Sequence, residues 1–118
     1  MYVIEGKDRR RIEHRVVILN SPVLTTYGTF EFHPISLEEA ERLLADGFYS
    51  AVGHETSARF LTALLGREVE ANRVQIEMEP GDWALVLRLK TRLPEGKVLT
   101  EEELGVVPYE LGLLIRTA

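Results

Sequence analysis

Cysteine is absent from all 118 residues, so neither a disulfide nor a thiolate-bound metal can hold this fold, and the chain is expected in the cytoplasm. Long apolar runs are absent too, since nothing approaches the ~20 residues needed to cross a bilayer. The start of the chain is charged and has no apolar secretory stretch, so a soluble, unexported protein with no membrane partner is expected. Positive charge is in deficit, with 14 Lys and Arg against 19 Asp and Glu and a formal charge of −5. Neutralising duplex phosphates needs a basic face, so duplex nucleic acid is not expected as a partner, and a DNA-binding interaction module is disfavoured. A small anionic ligand in a locally basic pocket stays open. Glycine-rich nucleotide loops, helical zinc pairs and paired hydrolytic acids are missing, and no metal or cofactor is expected.

What is present suffices for one core: 45% of positions are hydrophobic and 28% charged, the balance of a single globular domain. Residues 1–15 read as an N-terminal tail or edge segment, with Arg9, Arg10 and Arg11 as a solvated face, and residues 16–118 as the domain. The run RVVIL at 15–19 predicts a first, buried strand that stops at the turn-forming Asn20-Ser21-Pro22. Period-two alternation at 29–32 predicts a second. Ser36 and Glu39 form a capping box opening a helix whose apolar face is Leu37, Ala40, Leu43 and Leu44 and which stops at Asp46-Gly47. Another helix begins near His54 or Glu55, buries Ala58, Leu61 and Leu65 with Phe60 and Leu64 beside them, and ends at Gly66. Residues 73–78 and 83–89 flank Pro80-Gly81-Asp82 and predict a β-hairpin. A second capping box at Thr100 and Glu103 opens a short helix before a terminal strand at 111–116. The expected fold class is α/β: a single mixed β-sheet of about five strands flanked by helices, in a chain of a size that often builds its binding site by dimerising.

Two segments carry candidate chemistry. Residues 50–57 bring glycine, His54, Thr56 and Ser57 together at a helix start, where free N–H groups and the helix dipole favour an anion. The competing reading is that Thr56 and Ser57 only cap. In the second segment Arg88, Lys90 and Arg92 share one strand face, able to hold phosphate oxygens, with Glu95 just beyond Pro94 as a hydrogen-bond acceptor. The competing reading is an exposed face balanced by nearby acids. Asn20-Ser21 and Asn72-Arg73 lie at strand ends, where ligand groups or turn chemistry are both common. His14 and His33 read as structural.

The three ordered motifs Ala51-Val52-Gly53-His54-Glu55-Thr56-Ser57, Asn72-Arg73-Val74 and Arg92-Leu93-Pro94-Glu95-Gly96-Lys97-Val98-Leu99-Thr100 resemble the small ring-nuclease family of archaeal viruses, phages and some bacteria. Viral members of that family act as type III anti-CRISPR proteins. The resemblance runs from about Val16 to the C-terminus. It implies an α/β homodimer that encloses cyclic tetra-adenylate and, without metal, cuts it to linear di-adenylates ending in a 2′,3′-cyclic phosphate, switching off the immune signal in the host cytoplasm. The resemblance places the catalytic residues at His54, Arg92 and Glu95 and the ligand-binding arginine at Arg73. It adds Asn20, Thr56 and Ser57 as matching positions; Ser21, Thr25 and Arg88 are further expected ligand contacts, in the places where the sequence departs from the better-known viral members. Arg88 stands where an uncharged amide is expected, and the loop 24–28, with Tyr27 for stacking, reads as a lid. A rival from another class is a module that sequesters or senses the ring without useful cleavage.

Overall fold

The computed structural model describes residues 1–21, 24, 26–91 and 100–118. Among these the order is β1 (Tyr2–Glu5), β2 (Asp8–Arg11), β3 (Val16–Leu19), β4 (Phe30–Pro34), α1 (Leu37–Leu43), β5 (Tyr49–Ala51), α2 (Glu55–Leu65), β6 (Gln75–Glu77), β7 (Trp83–Leu89), α3 (Glu101–Gly105) and β8 (Tyr109–Arg116). The β-branched run forms β3 as its composition predicts, and both capping boxes close. The Glu39 N–H donates to Ser36 Oγ at 3.1 Å, and the Glu103 N–H donates to Thr100 Oγ1 at 3.2 Å. Gly66 ends α2 in the left-handed region at φ 65°, the conformation glycine adopts without a Cβ penalty.

A five-stranded mixed sheet in the order β4-β8-β7-β3-β5 is the scaffold. Its β7, β3 and β5 run parallel, while β8 is antiparallel to both β7 and β4. The central strand β7 is buried on both faces. Leu85 and Leu87 point with Ile18 toward Ala40, Leu44, Leu61 and Leu65 of the helical layer. Ala84 and Val86 point with Val17 and Leu114 the other way, against Met1, Val3, Ile76 and Met78.

Val3 and Ile76 belong to a second sheet, with Met1 and Met78 directly flanking its strands, and here the structure corrects two expectations. The segments around the Pro80 turn are strands, but β6 and β7 do not form a hairpin with each other. Instead β6 pairs antiparallel with β1, Val3 opposite Ile76, to give a three-stranded sheet in the order β2-β1-β6. The turn redirects the chain. Gly81 takes φ 91°, the buried Asp82 carboxylate accepts the Glu79 N–H at 2.7 Å, and the Trp83 N–H donates to the Arg15 carbonyl at 2.9 Å. The chain therefore crosses from one layer to the other, because both faces of β7 need apolar cover. The single sheet of the sequence reading is thus two sheets, the larger one five-stranded.

Residues 1–15 are folded as an edge segment. They supply the β1–β2 hairpin, with Val3 only 1% exposed and β2 exposed along its length at the edge. Arg9, Arg10 and Arg11 lie on that solvated strand beside Glu77, Glu5 and Glu79. Tyr49–Ala51 is a strand the sequence pattern does not reveal; three residues are too few to show a period, and parallel pairing with β3 creates it. No helix among the described residues is long and apolar enough to cross a membrane.

Candidate active site

The carboxyl ends of the parallel strands β3, β5 and β7 lie together, the location at which open α/β sheets bind ligands. Asn20 follows β3, and its Oδ1 accepts the Gly53 N–H at 3.3 Å, joining the ends of β3 and β5. His54 occupies the N-cap position of α2 in extended conformation, and its side chain makes no capping bond. The first N–H groups of α2 therefore lack the side-chain partner that Ser, Thr or Asp would bring to that position, and they carry the positive end of an 11-residue helix. Thr56 and Ser57 lie inside the helix, Ser57 buried, rather than at the cap. His54 Nδ1 is buried and has no hydrogen-bond partner among the described residues.

Arg73 approaches the same place from another segment. A parallel bridge joins Ala71 to Val52, and the Asn72 N–H donates to the Val52 carbonyl at 2.8 Å. The Arg73 stem then covers Gly53, where a Cβ would sit 3.4 Å from Arg73 Cγ. Arg73 is exposed, and among the described residues its guanidinium has neither an ion pair nor a hydrogen bond. Its charge is therefore free for an anion at the α2 start. Between the two sheets next to Asn20 is a cavity of about 310 Å³ lined by Ile4, Leu19, Asn20, Leu24, Val74 and Gln75. Ser21, exposed, lines the same cavity.

Arg88 is placed differently. Arg88 in β7 and Lys90 just after its end lie on one side, as the two-residue period predicts, but both turn to Glu110 of β8, at 3.4 and 2.9 Å. The hydrogen bond from Lys90, reinforced by its charge and that of Arg88, holds the Glu110 carboxyl below the usual carboxylate range. Arg88 lines a larger hollow of about 640 Å³ with Phe32, Pro34, Tyr109 and Glu110. That hollow includes none of Asn20, His54 and Arg73, so its size does not make it the centre of the chemistry. Arg92, Glu95 and Thr25 lie outside the described residues. His14 packs edge-on to Tyr49 at 5.8 Å. Among the described residues no group of three or more His, Asp or Glu side chains is arranged to hold a metal ion.

Sequence reasoning missed Tyr49. Its hydroxyl accepts from Asn72 Nδ2 at 3.1 Å, and Asn72 Nδ2 also donates to the Ser50 carbonyl at 2.8 Å. Ser50 Oγ in turn donates to the Glu70 carbonyl at 2.6 Å. A strand assignment at 49–51 is the signal that would have brought Tyr49 and Asn72 together.

A family model described as STIV B116-like matches residues 16–111, a span that begins at β3 and leaves the N-terminal hairpin outside it. Uncharacterized protein 26 of Sulfolobus islandicus filamentous virus is 43% identical over 102 residues, covering 81% of this chain and 86% of that protein. Uncharacterized protein YddF of Bacillus subtilis is 36% identical over 104 residues, covering 86% of this chain and 96% of YddF. Among solved structures, B116 of Sulfolobus turreted icosahedral virus superposes with a TM-score of 0.68 at 24% identity, over 86% of this chain and 98% of B116. That likeness is one of fold.

Proposed function

This chain belongs to the STIV B116-like family, and on that premise we propose that it is a metal-independent ring nuclease that cleaves cyclic tetra-adenylate to linear di-adenylates with 2′,3′-cyclic phosphate ends. The observation that carries this reading is the convergence of Asn20, His54 and Arg73 at the carboxyl ends of the parallel strands. There a helix N-terminus without a side-chain cap and the stem of Arg73, whose guanidinium has no partner among the described residues, lie beside a histidine whose buried ring nitrogen has none among them either. A phosphodiester suits these groups: its oxygens accept from N–H donors, and its charge meets two positive ends.

The substrate brings its own nucleophile. A ribose 2′-oxygen attacks the adjacent phosphorus and gives up its proton to solvent, while the bond from phosphorus to the 5′-oxygen breaks. The protein's task is then to hold the attacking and leaving oxygens in line. His54, as imidazolium, donates a proton to the departing 5′-oxygen, Arg92 stabilises the charge that builds on the phosphoryl oxygens, and Glu95 orients Arg92 or the histidine. Arg73, Asn20 and the start of α2, with Thr56 and Ser57, bind the neighbouring phosphate and ribose groups, and Ser21 and Thr25 complete the ring's contacts, while Arg88, turned to Glu110, is left out of the set. As a two-fold homodimer the protein presents two equivalent sites to opposite phosphodiesters of the ring, so two cuts give two dinucleotides. Destroying the messenger switches off the type III CRISPR response.

Incubation of the purified protein with cyclic tetra-adenylate in EDTA, followed by chromatography, tests this. Linear di-adenylate with a cyclic phosphate end is the expected product, lost in His54→Ala. An intact ring held tightly by the wild type shows a sequestering module instead, and no binding shows that the fold has been kept for another purpose.

A further inference from the structure

The stretch that carries Arg73 is short, and two different layers hold its ends. On one side Asn72 is tied to the five-stranded sheet by three bonds: its N–H to the Val52 carbonyl at 2.8 Å, and Nδ2 to the Ser50 carbonyl at 2.8 Å and the Tyr49 hydroxyl at 3.1 Å. Both hydrogens of the amide are used, which an aspartate could not imitate. On the other side β6 begins two residues after Arg73, and its strand partner is β1. That strand belongs to the N-terminal hairpin, which precedes the family match beginning at residue 16. A second link runs from the same hairpin, because Arg10 donates to the Tyr49 hydroxyl at 3.5 Å, the oxygen that also accepts from Asn72.

An exposed arginine gains little from a phosphate unless its backbone is already held where the phosphate will be, since ordering a long side chain and its loop costs free energy on binding. We propose that Asn72, held by Tyr49 and Ser50 and backed by the N-terminal hairpin, is the positioning residue that presents Arg73 to a phosphate at the start of α2. This rests on the nucleotide-binding reading of the site. The hairpin is then part of the binding apparatus at one remove: it pairs with β6 and so fixes the far end of the Arg73 segment.

The test combines a double-mutant cycle with a ligand-free measurement on the full chain. Binding of cyclic tetra-adenylate is measured for the wild type, Asn72→Ala, Arg73→Ala and the double variant at several salt concentrations. The ¹⁵N heteronuclear NOE of the Arg73 amide is recorded without ligand. Each single variant is expected to weaken binding ~10-fold, while Asn72→Ala in the Arg73→Ala background changes it less than ~2-fold, the signature of one residue acting through another. The salt dependence falls by roughly one phosphate contact in both single variants, and the Arg73 NOE falls in Asn72→Ala. Additive losses or an unchanged NOE overturn the proposal. Should Asn72→Ala not fold, Tyr49→Phe removes one acceptor and takes its place, with a loss of ~3-fold that again vanishes without Arg73. A wild type that does not bind the ring refutes the proposed function, while the NOE still decides whether Asn72 holds Arg73.

Discussion

Val3→Ala measures whether the N-terminal hairpin is a structural layer. Val3 is 1% exposed and packs in the cluster formed by Val17, Ala51, Ile76, Met78, Ala84, Val86 and Leu114. Truncation removes two methyl groups from between two sheets. At ~0.8 kcal/mol per methylene-sized group the transfer loss is about 1.6 kcal/mol, and incomplete collapse of the space raises the total to about 2 kcal/mol. For a domain of this size that corresponds to a fall of roughly 6–10 °C in Tm. Urea unfolding followed by circular dichroism and by Trp83 fluorescence gives the free energy, with an unchanged slope and a single transition expected. Lys7→Ala in the turn of the same hairpin is the control, because Lys7 is exposed and its loss is expected to cost under ~0.5 kcal/mol. A Val3→Ala cost as small as the control's, or a separate early transition, refutes the three-layer packing as the source of stability.

Replacing His54 with alanine is expected to reduce single-turnover cleavage ~10²–10⁴-fold with ring affinity kept within a few-fold; an alanine variant that turns over normally disproves the acid role. Gly66→Ala places a side chain at φ 65° and is expected to lower stability by about 1 kcal/mol, read from thermal melts, although nothing lies near the new Cβ. Glu77 is held below the usual carboxylate range by its hydrogen bond from Arg9, and Glu110 by that from Lys90. Their folded values lie below the unfolded ones, so their contribution is present above the ordinary carboxylate range and is lost as pH falls through the lowered values. Acid unfolding of Glu77→Gln is accordingly expected to show a shallower decline than wild type at low salt, with the difference shrinking in high salt; identical curves count against a working Arg9–Glu77 pair.

Much of this molecule follows from short-range chemistry. The capping boxes at Ser36 and Thr100 span four residues each, Gly66 closes α2 through its own backbone, and the apolar runs of β3 and β7 are long enough to announce burial. Asn20, His54 and Arg73 were legible as motif residues, yet their meeting was not. Only the tertiary structure decided that β6 leaves β7 for β1, that the first residues form a layer, that a three-residue strand stands at 49–51, and that Arg88 turns to Glu110 while Arg73 lies over Gly53. The physical reason is that caps and periodicity act within one or two turns of chain. A strand's partner is chosen by which pairing covers both faces of β7, and that depends on residues 60 or more positions away in sequence.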